Sequence, residues 1–488
     1  MDSKIVQSTK WSGITEILSK LILPVINLFL ARILSPEVFG VVATFTMVTS
    51  FAEIFTDAGF SKYLIQHEFQ DEEDQELSTQ TAFWTNLVFS CIIWGIVFLL
   101  RYPIASLVGS KGYETEIAVM SLTIPVVSFA SIQLALYRRN FRFKQLLPIR
   151  IIACSVPLVV TLPLAVILRN CWALIIGTLA KEVVNFVLLT VKSAWKPKLK
   201  YSFRKLKSML SFSLIMMADT FVIWLTSYAG TFIISKALND FYIGIYKTAI
   251  STISVYLNII YTITAPVLFA ALSRTQDNDI ECKYIYGQFQ HFVSFLLLPL
   301  GVGIFVFRDF VTGVLLGEQW GEASLLLGGM GCALSVTIVT AQYNSDYFRA
   351  KGKPYFSLGI QVLYAILMIV ALSVFATHSF EALCIARITV TFVYALISCI
   401  AMNVFMKVSI VGIANNLFWP SISSALMGFL GWSLCNLRDG VLWNVLSILI
   451  CIVFYGIELL VIPYTRKELL SLSQIKRLIK RLKAIPHK

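Results

Sequence analysis

The chain has 488 residues, 57% of them hydrophobic and only 14% charged, with a formal net charge of +13. A water-soluble protein of this length splits into several domains and carries about a quarter charged residues, so the composition excludes a soluble enzyme or binding module and indicates an integral membrane protein. The 9 cysteines form no CxxC pair and sit singly in apolar runs or near their ends, as small packing residues do. His67, His291, His378 and His487 are scattered with no second ligand at helical spacing, which argues against a metal site. The cations fall in the connections between apolar runs, where they encode topology and not a nucleic-acid surface.

Apolar runs long enough to cross about 30 Å of hydrocarbon centre near residues 22, 49, 91, 126, 158, 181, 222, 253, 297, 336, 365, 390, 424 and 451. The expected fold class is an all-α integral membrane protein with about 14 transmembrane helices. Lys4 and Lys10 precede the first run, but Glu16 and Lys20 interrupt any signal-peptide core, so this segment reads as a retained span. The first two runs are joined by Ala31 to Gly40, in which Pro36 can start the second helix once the first has ended. An echo stands 204 residues later, at Ser235 to Gly244, with Lys236 in the place of Arg32, Leu238 of Leu34 and Gly244 of Gly40. Further matches pair Gly109 with Gly317, Tyr137 and Arg139 with Tyr347 and Arg349, and Lys181 with Arg387, at offsets of 208, 210 and 206.

Offsets this constant imply a duplicated chain in parallel orientation: two pseudo-symmetric six-helix lobes plus two C-terminal helices. The expected domains are an N-lobe at 1–191, a basic linker at 192–207, a C-lobe at 208–404, spans 13 and 14 at 405–464, and a basic amphipathic tail at 465–488. Of the 40 cations, Arg32, Arg101, Lys111, Arg169, Lys236, Arg308 and Arg438 fall on one side of the membrane. Lys20, Lys181, Lys247 and Arg387 lie within spans, and all the others share the side of the two termini, which is therefore cytoplasmic. The linker suits the anionic inner leaflet or serves topology alone. The acidic loop Glu68 to Glu76 is a solvated turn or a docking site. In the tail, Leu472, Ile475, Leu478, Ile479 and Leu482 alternate with cations, the pattern of a helix lying on the membrane surface.

Trp11, the run Ala31 to Gly40, Asp57-Ala58-Gly59-Phe60, Leu64-Ile65-Gln66 and the second-lobe run Leu315 to Ala323 together resemble the bacterial polysaccharide exporters. These are the oligosaccharide flippases of the multidrug/oligosaccharidyl-lipid/polysaccharide exporter superfamily. The resemblance implies a fourteen-helix fold and movement of undecaprenyl-pyrophosphate-linked oligosaccharide units from the cytoplasmic to the outer leaflet of the bacterial inner membrane, for O-antigen, capsule or exopolysaccharide assembly. It implies no cofactor and no nucleic acid. Expected partners are the lipid-linked oligosaccharide and membrane lipids, with a polysaccharide polymerase, chain-length proteins and a coupling proton or sodium ion as further candidates. The related lipid II flippases carry arginines in their first, second and eighth spans. Here the first and eighth hold Lys20 and Lys247, while the second departs with Glu53 and Asp57.

A charge inside hydrocarbon costs several kcal/mol unless it faces a cavity or a partner. Lys181 and Arg387 stand at equivalent repeat positions in spans 6 and 12, where they either attract the pyrophosphate or acidic sugars of a substrate or form structural ion pairs, for example with Glu182 or Glu381. Lys20 has Glu16 one turn away as a neutralising partner, whereas Lys247 has no obvious local one. Asp57, Asp219 and Glu458 are the carboxylates that ion coupling could use, although Asp57 beside Gly59 also suits a turn. Gly313, Gly317 and Gly321 read as close packing or turns. Pro24, Pro125, Pro157, Pro163, Pro266 and Pro299 read as moving or static kinks.

Arg32, Pro36, Gly40, Lys236 and Gly244 are expected on the outer face as hinges or gate edges. A drug or cation antiporter of the same superfamily is the nearest rival, and it would need a cavity with net negative charge. A membrane-bound polymerase or glycosyltransferase is disfavoured: the longest outer connections, Arg101 to Glu116 and Arg308 to Ala323, contain no histidine, and no Walker, HExxH or GxSxG motif occurs. A scaffold for other assembly proteins would leave the buried cations unexplained.

Overall fold

The computed structural model describes residues 22–57, 59–140, 142–193 and 195–461, and within them not the side chains of Asp57, Gln66, residues 211–216 or Asp219. Lys20 and the tail at 465–488 therefore lie outside the described residues. Every regular element among the described residues is helical. A first compact unit runs to Thr248 and adds Met368–Phe380; a second holds Ala249–Leu367 and the residues from Glu381.

The first unit contains α1 (Ile22–Ile33), α2 (Pro36–Asp57), α3 (Phe60–Gln66), α4 (Glu72–Leu99), α5 (Arg101–Leu107), α6 (Glu114–Met120), α7 (Thr123–Arg139), α8 (Phe143–Val159), α9 (Thr161–Leu168), α10 (Cys171–Lys192) and α11 (Phe203–Ala237). Next comes α12 (Asp240–Arg274), which crosses between the units. Then follow α13 (Asp279–Val306), α14 (Arg308–Leu315), α15 (Ser324–Thr337), α16 (Tyr343–Ala350), α17 (Pro354–Phe375), α18 (Phe380–Met406), α19 (Ile410–Cys435) and α20 (Val441–Val461), all of the second unit except the part of α17 from Met368 and the first residue of α18. Among the described residues, twelve helical segments are long and apolar enough to cross a membrane. All twelve fall at expected positions; of the other two, the first is described only over α1 and the seventh is the 35-residue α11.

The spans bury polar side chains among apolar ones and leave many large apolar side chains exposed. On α4 the buried face carries Ser78, Thr79, Gln80, Thr81, Thr85 and Asn86, while Val88, Phe89, Ile92 and Ile96 are exposed. Hydrocarbon solvates the apolar face, so polar side chains must turn inward and bond to protein. Between spans, polar caps restart the helices: Asp71 accepts from Asp74 N at 2.6 Å, Asn170 from Trp172 N at 3.1 Å and Asn278 from Glu281 N at 3.2 Å. Among the prolines, Pro157 and Pro163 flank a break at Val160 between α8 and α9, whereas α12 and α13 continue through Pro266 and Pro299.

The buried polar face of α4 holds the linker. Gln80 donates to Lys196 O at 3.1 Å and accepts from Lys198 N at 2.7 Å, Trp84 Nε1 donates to Lys198 O at 2.8 Å, and Thr81 Oγ1 accepts from Ser202 N at 3.2 Å. Asp74 pairs with Lys205, and Glu76 lies 3.7 Å from Lys198. The acidic segment thus has a partner, and it is the chain's own basic linker.

Where the repeated hairpins meet, α2 and α12 touch through bare backbone. A Cβ on Gly40 would stand 1.8 Å from Asp240 O, and one on Gly244 would stand 1.8 Å from Pro36 O. Asp240 follows Pro36 by the same 204 residues that separate Gly244 from Gly40, so the contact is reciprocal. Gly313 and Gly321 contradict the close-packing expectation: a Cβ on either meets open space, and only Gly317, at φ 107°, serves a turn. Alanine at Gly40 or Gly244 should therefore cost about 1–3 kcal/mol or more through overpacking, seen as a lower unfolding midpoint of the purified protein. Gly313→Ala and Gly321→Ala should not lower that midpoint, and Gly313→Ala, inside α14, should raise it.

Candidate functional site

The first unit encloses a cleft of about 410 Å³ between α2, α3, α7 and α11. Helical spacing on α2 sets Ser50, Glu53 and Thr56 along one wall, and Thr220, Trp224, Ser227 and Tyr228 of α11 form the facing one, with Ser128 and Ser131 of α7 and Lys62 of α3 completing the lining. The Trp224 indole is fixed by Nε1, which donates to Met47 O at 3.3 Å and Ser50 Oγ at 3.2 Å. Its ring lies near-parallel to those of Phe221, with centroids 6.1 Å apart, and Tyr228, at 5.8 Å.

Charge reaches this cleft from two further helices. Lys181 of α10 forms an ion pair with Glu182 at 2.7 Å, in which the two side chains are 27% and 16% exposed. Glu53 interacts electrostatically with both members. The structural pairing expected of Lys181 is therefore present, and Glu182 is the partner. Lys247 of α12, for which the sequence offered no local partner, places Nζ 3.8 Å from the Tyr228 ring centroid and donates to Ser227 O at 3.1 Å. Among the described side chains, Lys62 and Glu53 line the cleft, Lys181 and Glu182 interact with Glu53, and Lys247 lies over the lining residue Tyr228: three lysines against two carboxylates.

The remaining candidates are dispersed. Arg387 lies on α18 in the second unit, 8% exposed, and its carbonyl accepts from Thr391 Oγ1 at 2.9 Å. Glu458 sits on α20 with Oε2 buried and no hydrogen-bond partner among the described residues. Asp57 closes α2 and is followed by Gly59 at φ 75°; its side chain and that of Asp219 are outside the described residues. Of the outer-face set, Arg32 is exposed, Lys236 donates to Ser106 O at 3.4 Å, and Pro36, Gly40 and Gly244 form the hairpin crossing.

Two features escaped the sequence reading. The aromatic wall of Trp224 and Tyr228 is one, since aromatic residues in an apolar run carry no mark that separates a cleft from lipid. The other is a buried polar chain in the second unit. There Tyr286 donates to Asn344 Oδ1, Asn344 donates to Ser398 Oγ at 3.0 Å, and Gln290 donates to Tyr286 OH at 3.0 Å, beside a π-helical turn at Ile338–Gln342. Asp346, bonded by the Tyr261 hydroxyl at 2.9 Å, adjoins it.

A family model described as polysaccharide biosynthesis protein matches residues 29–325, more than half of the chain. The chain belongs to this family. It is 26% identical over 322 residues to an uncharacterized membrane protein in the cps region of Klebsiella pneumoniae, a match covering 65% of each chain. It is 26% identical to the succinoglycan biosynthesis transport protein ExoT of Rhizobium meliloti, over 64% of this chain and 62% of ExoT. The lipopolysaccharide biosynthesis protein WzxC of Escherichia coli matches at 22%, over 65% and 64%. The matched regions span somewhat under two thirds of the length of these relatives.

Among solved structures, the lipid II flippase MurJ in an inward-closed conformation superposes with a TM-score of 0.75 at 13% identity, over 93% of this chain and 98% of MurJ. An inward-facing multidrug resistance MATE transporter of the MOP superfamily gives 0.63 at 14%, over 82% and 99%. At such identities the likeness is one of fold. It places this all-helical, multi-pass chain among the MurJ/MATE-like membrane transporter folds and agrees with the resemblance read from the hairpin motif.

The charge cluster makes a direct prediction. Lys181→Gln leaves Glu182 and Glu53 without their ammonium partner, whereas Lys181→Gln with Glu182→Gln removes the imbalance. The single variant should unfold at a lower temperature than the double, with a coupling of about 1 kcal/mol, measured by thermal unfolding in one detergent.

Proposed function

We propose that the protein is a flippase. It carries undecaprenyl-pyrophosphate-linked oligosaccharide units from the cytoplasmic to the outer leaflet of the bacterial inner membrane, for O-antigen, capsule or exopolysaccharide assembly. The observation that carries this reading is membership of the polysaccharide biosynthesis family, with relatives named for succinoglycan transport and lipopolysaccharide biosynthesis. The MurJ-like fold supports it, since MurJ is itself named a flippase of a lipid-linked precursor. A transporter of this kind performs no covalent chemistry, so the reading assigns no enzymatic activity.

In this reading residues 1–191 and 208–404 act as the two lobes of an alternating-access carrier, joined by the linker at 192–207, with both termini cytoplasmic. The excess of cations in the connections on the side of the termini supports that orientation. Lys181, Lys247, Lys20 and Arg387 supply positive charge for the diphosphate. Glu458, Asp57 and Asp219 are the proposed groups for proton or sodium coupling. The reciprocal Gly40–Gly244 crossing, with Arg32, Pro36 and Lys236 around it, forms the edge of an outer gate.

A second reading, a drug or cation antiporter, draws on the MATE likeness and on Glu53 in the cleft. The three lysines around that cleft favour an anionic cargo instead. Deletion decides between them: the flippase reading expects lipid-linked oligosaccharide to accumulate on the cytoplasmic side. Normal glycan export with altered drug tolerance would replace it by the antiporter. Within a rescued strain, Lys181→Gln or Arg387→Gln should abolish export at normal protein abundance, scored by surface polysaccharide and immunoblot; unchanged output removes these residues from the mechanism.

A further inference from the structure

We propose that the cleft of the first unit is a carbohydrate subsite, in which a pyranose ring of the cargo lies on the Trp224–Tyr228 wall and its hydroxyls bond to the serines, threonines and Glu53 opposite. This rests on the lipid-linked oligosaccharide reading and adds where the sugar, as distinct from the diphosphate or the lipid, is held.

The wall is built before any ligand arrives. Positions 221, 224 and 228 recur at helical spacing on one face of α11, so their rings stack along it, Trp224 to Phe221 at 20° and to Tyr228 at 30° between planes. Phe51 of α2 packs on the indole from the side, with centroids 4.9 Å apart. The two bonds from Trp224 Nε1 to Met47 O and Ser50 Oγ hold the ring in one orientation. A pyranose presents its C–H bonds as an electropositive face, which the electron-rich face of an indole or phenol attracts.

The rest of the lining supplies acceptors. Thr56 and Ser227 each donate their hydroxyl proton to a carbonyl of their own helix, at 3.1 and 2.8 Å, which leaves oxygen lone pairs open to donors from a ligand, whereas Ser50 and Ser131, which donate at 3.2 and 2.9 Å, already accept from Trp224 Nε1 and Asn86 Nδ2 at 3.2 and 2.8 Å. Ser128 goes further: it lines the cleft, it is 3% exposed, and its Oγ has no hydrogen-bond partner among the described residues. A buried hydroxyl left unbonded is costly, and a sugar hydroxyl is the complement it lacks. A ring of hydroxyls does not suit lipid chains, so a purely lipid-facing role for the cleft is disfavoured.

An organic cation also favours aromatic faces and a carboxylate, and the charges argue against it. Lys247 already sits over Tyr228, Lys181 interacts with Glu53, and Lys62 lines the cleft. A neutral polyhydroxylated ring meets no such repulsion. The volume of about 410 Å³ is within the usual range for a small-ligand pocket, about 300–1,000 Å³.

The test uses the full-length purified protein, Trp224→Phe and Trp224→Leu, with two lipid probes and tetraphenylphosphonium as a cationic probe. One is undecaprenyl-diphosphate-linked oligosaccharide extracted from host membranes; the other is undecaprenyl diphosphate without sugar. The fluorescence difference between wild type and Trp224→Phe isolates the Trp224 signal, which should shift with the first probe and not with the second. Trp224→Leu should weaken binding of the sugar-bearing lipid about ten-fold and leave the bare lipid unaffected, while Trp224→Phe keeps most of the affinity; both variants lose the two Nε1 bonds, so their unfolding midpoints should fall together and do not account for a difference in binding. Equal shifts with both probes, unchanged sugar binding in Trp224→Leu, or a shift with tetraphenylphosphonium alone would each overturn the subsite. Wild-type protein that binds the sugar-bearing lipid without any Trp224 response removes the subsite only, whereas wild-type protein that binds neither lipid removes the flippase reading with it.

Discussion

Hydrocarbon offers no hydrogen bonds, and the rest of the structure depends on that constraint. Each long apolar run must satisfy its own backbone, which makes it a helix, and each polar side chain on it must turn toward protein. The α4 helix shows the result: its polar residues from Ser78 to Asn86 are buried and Gln80 and Thr81 hold the linker, while Val88, Phe89, Ile92 and Ile96 face outward. Charged groups obey the same rule. Lys181 takes Glu182, Lys247 takes the face of Tyr228 and a main-chain carbonyl, and the linker lysines take Asp74 and Glu76.

The duplication gains a physical meaning at the hairpin crossing. Gly40 and Gly244 are equivalent in sequence, and so are Pro36 and Asp240. The structure brings each glycine against the carbonyl of the other pair's partner. Two copies of one motif meeting in a self-complementary way place a local pseudo-two-fold relation between them. Any side chain there would force the backbones apart, so the repeat keeps glycine on both sides.

The cleft of the first unit combines features that single residues do not announce. Trp224, Tyr228, Ser128 and Glu53 are unremarkable one at a time in a membrane span. Brought together they form an aromatic wall opposite hydroxyl acceptors, with lysines at its margin. The proposed sugar and diphosphate subsites then follow from separate chemistry: ring faces and hydroxyls for the one, ammonium groups for the other.

The helical class, the positions of twelve crossings, the hairpin repeat and the cation bias were all legible in the sequence, because hydrophobic run length, turn residues and topology charges are local signals. The motif at Ala31 to Gly40, together with Trp11, Asp57 to Phe60, Leu64 to Gln66 and Leu315 to Ala323, likewise pointed to the family. Partners were not legible. Glu182 as the mate of Lys181, Tyr228 as the platform under Lys247, the linker as the mate of the acidic segment and the open surroundings of Gly313 and Gly321 all depend on which helix faces each side chain. Within an apolar run every face reads alike, since lipid and protein interior select the same residues. Only packing decides which of those faces encloses a site.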